Sequence, residues 1–298
     1  MNKNSSVFPS LDPLLDELFL VSECKVREHP NQDNIIMLME LLKSTLFPGL
    51  FGASDIHQQS LRYHLGTRIE RAYSILYSEI LKGLCFSCPS FQGDLESRRC
   101  QECYPGANQV TEELIFALPK IKRELLLDVE AAYKGDPAAT SPDEVLASYP
   151  GILSLIHHRI AHQLFLAKVP IIPRMISERA HSLTGIDIHP GARIKDRFFI
   201  DHGTGVVIGE TCEIGSNVKI YQGVTLGAKS FALDQNGQPI KGMARHPIVE
   251  DEVTIYAGAT ILGRITIGKG AVIGGNVWLT KSVLPNQIVV YQDSNSAK

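Results

Sequence analysis

Two short motifs in the C-terminal half combine side chains that can transfer a proton or bind a charged group. The first is His202-Gly203-Thr204-Gly205, and histidine is the side chain most often used as a general base. The second, Arg245-His246-Pro247, brings a guanidinium and another imidazole to one place. A guanidinium suits a carboxylate because its planar fork binds both oxygens. The alternative interpretation of the second motif is the end of a variable surface hairpin.

Four of the six cysteines form a C-x2-C-x11-C-x2-C pattern made by Cys85, Cys88, Cys100 and Cys103. Two close pairs of thiolates are the ligand set of a structural zinc site, so the spacing predicts structural Zn in a cysteine-rich hairpin at about residues 85–103. The alternatives are reduced core cysteines or a redox-sensitive pair. The N-terminus lacks a secretion signal, so we expect reduced or metal-bound cysteines and a cytoplasmic protein.

The composition restricts the function classes. The formal charge of −3 offers no basic field for nucleic acid or an anionic membrane surface. Because no window reaches about 18 uninterrupted apolar residues, we expect no membrane span. Of the 24 glycines, 16 lie between Gly185 and Gly275, so this region should turn often and regularly.

The first 184 residues repeat apolar side chains every three or four positions, which is typical of amphipathic helices. This pattern predicts a helical domain over residues 1–184. Ser141, followed by Pro142, is predicted to cap a helix. The predicted helical segments are 11–28, 34–46, 55–84, 110–133 and 152–167.

After Gly185 the period changes to six. Thirteen aliphatic residues keep this register: Ile188, Ile194, Ile200, Ile208, Ile214, Ile220, Leu226, Val249, Ile255, Ile261, Ile267, Ile273 and Leu279. The hexapeptide repeat predicts a parallel β-helix over residues 185–298, and known hexapeptide helices are left-handed. The repeat is broken by two extra residues near His202 and by 17 extra residues at about 229–245, which predict a protruding loop. The fold class is therefore α+β, an all-helical domain followed by a left-handed parallel β-helix with one protruding loop.

The order of the motifs resembles the serine O-acetyltransferase family, within the hexapeptide-repeat acyltransferase superfamily. The matching segments are Gly135-Asp136-Pro137-Ala138, Arg159-Ile160-Ala161-His162, Asp187-Ile188-His189-Pro190-Gly191-Ala192, Ile200-Asp201-His202-Gly203-Thr204-Gly205, Gly209-Glu210-Thr211 and Arg245-His246-Pro247. The resemblance implies transfer of acetyl from acetyl-CoA to the hydroxyl of L-serine, a step of L-cysteine biosynthesis. It also implies direct transfer through a tetrahedral intermediate.

The resemblance also implies a role for each matching residue. His202 is the general base, and Asp187, 15 residues upstream, orients it. Asp136 and Asp201 match positions that bind the ammonium group of serine, and Arg245 would bind its carboxylate. The second histidine, His246, positions serine or the oxyanion. Glu210 and Gln222 support the site.

The family binds acetyl-CoA in the groove between adjacent subunits, which implies at least a homotrimer. The corresponding positions here are Ala228, Ala257 and Gly275. A helical N-terminal half would join two trimers, as in the hexamers of the family. Many members carry a C-terminal tail that docks into O-acetylserine sulfhydrylase, but this chain ends at Lys298 after a short polar stretch. The sequence therefore gives no support for that partner.

Three alternative functions remain open. One is another hexapeptide-repeat O-acetyltransferase that acts on a sugar or xenobiotic hydroxyl. A second is a β-helical carbonic anhydrase, although His189, His202 and His246 do not have its histidine spacing. A third is a non-catalytic scaffold, which is expected if the loop and both breaks have no chemical role.

Overall fold

The structure is a computed structural model that describes Leu14, Glu17 and residues 29–52, 56–88 and 103–291. Three predictions lie wholly or partly outside the described residues. They are the helix over 11–28 (apart from Leu14 and Glu17), the ligand Cys100, and the chain end at 292–298.

Six helices come first in the described ranges. They are α1 (Gln32–Leu46), α2 (Leu61–Ser87), α3 (Cys103–Gly135), α4 (Pro142–Ser148), α5 (Pro150–Leu166) and α6 (Ile172–Thr184). Their inward faces form one apolar core, with residues such as Leu38, Leu76 and Leu125 fully buried. None of these helices is long and apolar enough to cross a membrane.

The helix boundaries differ from the predicted ones in three places. Helix α2 begins at Leu61 and not near residue 55, because residues 58–60 form a turn in which the Ser60 N–H donates to the His57 carbonyl. Helix α3 begins at Cys103, seven residues before the predicted start, and contains Pro119. Helix α6 was not predicted, since Pro173 suggested an interruption, yet this proline occupies the first turn of the helix, where its missing N–H costs nothing.

Fourteen short parallel strands follow in the described residues. They are β1 (Asp187–Ile188), β2 (Arg193–Ile194), β3 (Phe199–Ile200), β4 (Val207–Ile208), β5 (Glu213–Ile214), β6 (Lys219–Ile220), β7 (Thr225–Gly227), β8 (Ile248–Val249), β9 (Thr254–Ile255), β10 (Thr260–Leu262), β11 (Thr266–Ile267), β12 (Val272–Ile273), β13 (Trp278–Leu279) and β14 (Ile288–Val289). Each of the thirteen in-register aliphatic residues lies in a strand.

Every third strand up to β13 joins the same sheet, and β14 pairs with β12, so three parallel sheets form the three faces of a β-helix. Sheet I has the order β1-β4-β7-β10-β13, sheet II the order β11-β8-β5-β2, and sheet III the order β14-β12-β9-β6-β3. The aliphatic residues point inward and stack coil upon coil; Ile200, Ile220 and Ile255, for example, are paired in register and buried. The aliphatic residue of each hexapeptide repeat thus contributes one side chain to the core of the β-helix.

A buried ion pair ties the helices to the first coil. The Arg159 guanidinium on α5 donates to both carboxylate oxygens of Asp128 on α3, at 2.8 and 2.9 Å. It also donates to the Lys195 carbonyl, and Asp128 accepts the Phe198 N–H at 3.0 Å, both in the β-helix. The ion pair is therefore hydrogen-bonded to the backbone of both regions, which fixes the end of α3 against sheet III.

Candidate active site

The functional motifs lie at two of the three corners of the β-helix. We call the corner between sheets III and I the His202 corner; it contains Asp201 and His202, and Asp136 approaches it from the end of α3. We call the corner between sheets I and II the Arg245 corner; it contains Glu210, Arg245 and His246. The two corners flank sheet I.

His202 has an unusual backbone and an exposed ring. Its φ is +57°, in the left-handed region that few non-glycine residues adopt. Its side chain is 72 % exposed, and Asp201 Oδ1 lies 3.9 Å from its Nε2. This geometry presents the imidazole to solvent or to a ligand, as a general base requires.

Asp136 reaches the His202 corner from the helical region. Its Oδ2 accepts a hydrogen bond from the Tyr149 hydroxyl at 2.5 Å, and its Oδ1 accepts the Ala138 N–H at 2.8 Å. The Tyr149 hydrogen bond is the main reason that the pKa of Asp136 is lowered, and it raises the pKa of Tyr149 to about 12. Asp136 is therefore held as a carboxylate beside a protonated phenol.

Lys219 joins the end of α3 to this corner. Its Nζ donates to the Gly135 carbonyl at 2.6 Å and lies 3.7 Å from Asp201 Oδ2. The same ammonium sits over the rings of Phe199 and Tyr221, at 4.8 and 4.7 Å. The sequence interpretation missed both Lys219 and Tyr149, because they occupy ordinary repeat and helix-start positions.

Asp187 is half-buried at the first residue of β1, beside the backbone that carries His202. The Asp187 N–H donates to the Val206 carbonyl, and the Gly205 N–H donates to the Gly185 carbonyl. These bonds dock the residue 202–206 turn on the strand that begins with Asp187. Orientation of His202 by Asp187 remains a prediction.

Three more predicted residues continue the His202 corner along the β-helix axis: the supporting residue Gln222 and the acetyl-CoA positions Ala257 and Gly275. Strands β3, β6, β9 and β12 pair in register, so His202, Gln222, Ala257 and Gly275 each occupy the second position after a paired strand. Neighbouring coils are joined here by backbone hydrogen bonds, such as Gly258 N–H to the Gln222 carbonyl. Ala228 instead follows β7, at the opposite edge of sheet I.

Arg245 is oriented by an acidic partner and by backbone. One terminal nitrogen donates to Glu210 Oε2 at 2.7 Å, and the other donates to the Met243 carbonyl at 3.3 Å. Its Nε is buried and makes no hydrogen bond in the described part of the chain. Each terminal nitrogen carries a second N–H that these two bonds do not use, so the guanidinium retains donor capacity toward an acceptor from outside this chain.

His246 is held in one tautomer by Thr211. Its Nδ1 accepts the Thr211 N–H at 3.1 Å and lies 2.8 Å from the Thr211 hydroxyl oxygen. That oxygen also accepts the backbone N–H groups of Arg245 and His246. With Nδ1 as acceptor, the neutral ring carries its hydrogen on Nε2. The ring packs so closely on Gly209 that a Cβ there would lie 2.1 Å from His246 Cδ2, which explains the glycine.

Burial, followed by the charge of Arg245, lowers the pKa of His246 to about 4. His246 is therefore a neutral hydrogen-bond donor near neutral pH and not a second charged group. His189, which follows β1 at the same corner, contacts the ring of Phe165, and burial also lowers its pKa. The sequence named Thr211 within a motif without giving it a function; its hydrogen bonds could not be read from the motif.

The predicted zinc ligands are only partly described. Cys85 and Cys103 are buried and Cys88 is half-buried, whereas Cys100 lies outside the described residues. The end of α2 adjoins the start of α3, since a Cβ on Gly106 would lie 3.7 Å from Leu84 Cδ1. Among the residues that the structure describes, no group of three or more His, Cys, Asp or Glu side chains is arranged to hold a metal ion.

Known proteins are similar to this chain in sequence and in architecture. Residues 246–281 match the model of the bacterial transferase hexapeptide family (six repeats). A plasmid-encoded serine acetyltransferase of Synechococcus elongatus is 50% identical over 254 residues, which cover 85% of this chain and 79% of that protein. The chain belongs to the serine acetyltransferase family. The serine acetyltransferase of Bacillus licheniformis is 48% identical over 171 residues, covering 55% of this chain and 75% of its own length.

Solved structures extend the similarity to the helical region. Serine acetyltransferase 1 of Entamoeba histolytica, in complex with L-cysteine, superposes with a TM-score of 0.73 at 35% identity, covering 94% of this chain and 96% of that one. The Neisseria gonorrhoeae enzyme in complex with serine gives a TM-score of 0.55 at 26% identity, covering 86% and 95%. The chain is accordingly an acyltransferase of the serine O-acetyltransferase type.

Proposed function

We propose that His202 is the general base for the direct transfer of acetyl from acetyl-CoA to the L-serine hydroxyl. A serine hydroxyl is too weak an acid to attack a thioester unaided. As its oxygen bonds to the acetyl carbon, His202 takes the hydroxyl proton and a tetrahedral intermediate forms. The intermediate then expels the CoA sulfur, which receives that proton, leaving O-acetyl-L-serine. The exposed ring of His202 on its left-handed turn is the observation that carries this proposal.

The charges at the two corners suit the two ends of an amino acid. Asp136 and Asp201 are acidic groups at the His202 corner, where they would bind the serine ammonium. Arg245 would bind the carboxylate through the remaining N–H groups of its terminal nitrogens. His246 would donate Nε2–H to serine or to the oxyanion, and Glu210 orients Arg245. Asp187 would orient the His202 ring.

One chain alone separates the base from the carboxylate-binding arginine, because sheet I lies between their corners. We propose that a neighbouring copy supplies the second corner, in a homotrimer whose copies meet at sheet I. The outward residues of this sheet favour such a contact: Val207 is 37 % exposed and Trp278 68 % exposed. A dimer of trimers through the helical regions belongs to the same proposal.

The acetyl-CoA arm would follow the His202 corner along Gln222, Ala257 and Gly275, where small side chains permit close approach to the backbone. Ala228 would belong to the same groove from the neighbouring copy, since it lies at the other edge of sheet I. Residues 229–244 are exposed and would form the protruding loop beside this groove. We also propose that the β-helix is left-handed. The proposed domains are the helical domain at residues 1–184 and the β-helix domain at residues 185–298.

Structural zinc at Cys85, Cys88, Cys100 and Cys103 is a separate proposal. It is supported by the paired spacing and by the adjoining ends of α2 and α3. We expect about one zinc ion per chain, and a fall in melting temperature after chelation. Metal-free protein with an unchanged melting temperature in chelator would contradict it.

The function is tested by CoA release from acetyl-CoA with L-serine, D-serine and a sugar hydroxyl as acceptors. We expect release that depends on L-serine, and a fall of about 10²- to 10⁴-fold in kcat for His202→Ala, the range of general base catalysis. The exposed His64→Ala on α2 is the control. Serine-independent release, or full activity of His202→Ala, would reject the mechanism. A preference for the sugar would favour the alternative, another hexapeptide-repeat O-acetyltransferase.

A further inference from the structure

Tyr149 stands at a junction between the helical region and the His202 corner. It immediately precedes α5, and the next residues, Pro150 and Gly151, begin that helix. Gly151 touches the strand that leads into Asp201 and His202, because a Cβ there would lie 2.6 Å from the Ile200 carbonyl oxygen. The backbone around Tyr149 is therefore fixed against the same corner that carries the general base.

The Tyr149 side chain points from this fixed backbone to Asp136. Its hydroxyl donates to Asp136 Oδ2 at 2.5 Å, across 13 residues of sequence. The opposite oxygen of Asp136 accepts the Ala138 N–H at 2.8 Å. Each carboxylate oxygen thus has one donor, which sets the plane of the group and leaves its remaining lone pairs for a cation.

We propose that Tyr149 is a positioning residue for the substrate ammonium group, acting through Asp136. This inference rests on the proposed function, in which Asp136 binds the serine ammonium. A phenol hydrogen bond to a carboxylate favours the charged form, so Tyr149 keeps Asp136 ionised as well as oriented. The phenol itself stays protonated, since the bond to Asp136 raises the pKa of Tyr149 to about 12.

The position of Tyr149 also distinguishes it from Lys219, the other polar contact of this corner. Lys219 binds the Gly135 carbonyl and approaches Asp201, whereas the Tyr149 hydroxyl bonds to Asp136 itself. Loss of the Tyr149 hydroxyl should therefore weaken the binding of the serine ammonium group and leave the binding of acetyl-CoA unchanged. A structural role would affect both substrates and the stability of the fold.

The test is steady-state kinetics of Tyr149→Phe, which removes only the hydroxyl. A hydrogen bond to a charged group is lost, so we expect the KM for L-serine to rise about tenfold, with kcat within about twofold and the KM for acetyl-CoA unchanged. The acid limb of kcat/KM for serine should move to higher pH, because Asp136 is then more easily protonated. The exposed Tyr63→Phe on α2 serves as the matched control.

A double-mutant cycle with Asp136→Asn decides whether Tyr149 acts through Asp136. We expect Tyr149→Phe to have no further effect on kcat/KM for serine in the Asp136→Asn background. An unchanged serine KM, an equal loss in both backgrounds, or a parallel loss for acetyl-CoA with a lower melting temperature would each overturn the inference. The wild type is assayed first, and if it does not use L-serine, the proposed function fails. If it uses L-serine but Tyr149→Phe has no effect on the serine kinetics, only this inference is refuted.

Discussion

The two corners that flank sheet I place their histidines in opposite environments. At the His202 corner the imidazole is 72 % exposed on a left-handed turn, with carboxylates nearby. At the Arg245 corner the imidazole of His246 is 6 % exposed, accepts hydrogen bonds from Thr211 and lies next to a guanidinium. The first environment suits a group that gains and loses a proton, and the second suits a fixed neutral donor.

This difference indicates that the two corners have different roles in the reaction. The His202 corner would carry the proton transfer and the ammonium site, and the Arg245 corner the carboxylate site and an Nε2–H donor. Substitutions at the two corners should consequently change different kinetic constants.

The largest effect at the Arg245 corner is expected from Arg245→Ala. Removal of the guanidinium should raise the KM for L-serine about 10- to 100-fold, the size expected for charged hydrogen bonds, with a much smaller change in kcat. Arg245→Lys keeps the charge without the fork and should lose less. A large fall in kcat at unchanged KM would place Arg245 in the chemical step and break the division between the corners.

A smaller effect is expected from Thr211→Val. This change removes the hydroxyl that accepts the N–H groups of Arg245 and His246 and contacts His246 Nδ1. We expect kcat/KM for serine to fall about tenfold, since two or three hydrogen bonds of modest strength are lost. Thr211→Ser retains the hydroxyl and should stay near wild type. Equal losses in both variants would indicate a packing role for the methyl group.

The smallest effect is expected from acidification at His246. The folded pKa of about 4 lies below the ordinary value of 6.5, so His246 should remain neutral between pH 7 and pH 5. The unfolded chain takes up this proton first, so the contribution of His246 to stability is complete above pH 6.5 and declines as the pH falls toward 4. Nitrogen-15 NMR of the imidazoles should show His246 as the Nε2–H tautomer at pH 5.5. Titration of His246 above pH 6 would remove the contrast between the corners.

Much of the β-helix could be predicted because its period is local and repeated. A residue such as Ile214 or Ile273 occupies its strand by register alone, whatever the rest of the chain does. Helix α6 could not be read in this way, because Pro173 is equally consistent with a helix start and a helix break.

The contacts of the site were less predictable, since they join residues distant in sequence. The pair Arg245–Glu210 spans 35 residues and crosses the irregular segment between β7 and β8, whose path carries no repeat. Tyr149 reaches Asp136 only because α4 folds between them and α5 docks on Ile200. Motif resemblance named Asp136, Glu210 and Arg245, but their partners depend on the folded chain.

The central claim, that the two corners of one site belong to neighbouring copies, is tested most directly by complementation. His202→Ala and Arg245→Ala chains with different tags are co-expressed, and mixed trimers are purified through both tags. In a cyclic trimer of mixed composition one of the three shared sites has both residues intact, so about one third of wild-type activity should return. Mixed trimers, verified by native mass spectrometry, that are no more active than the parent variants would contradict the claim.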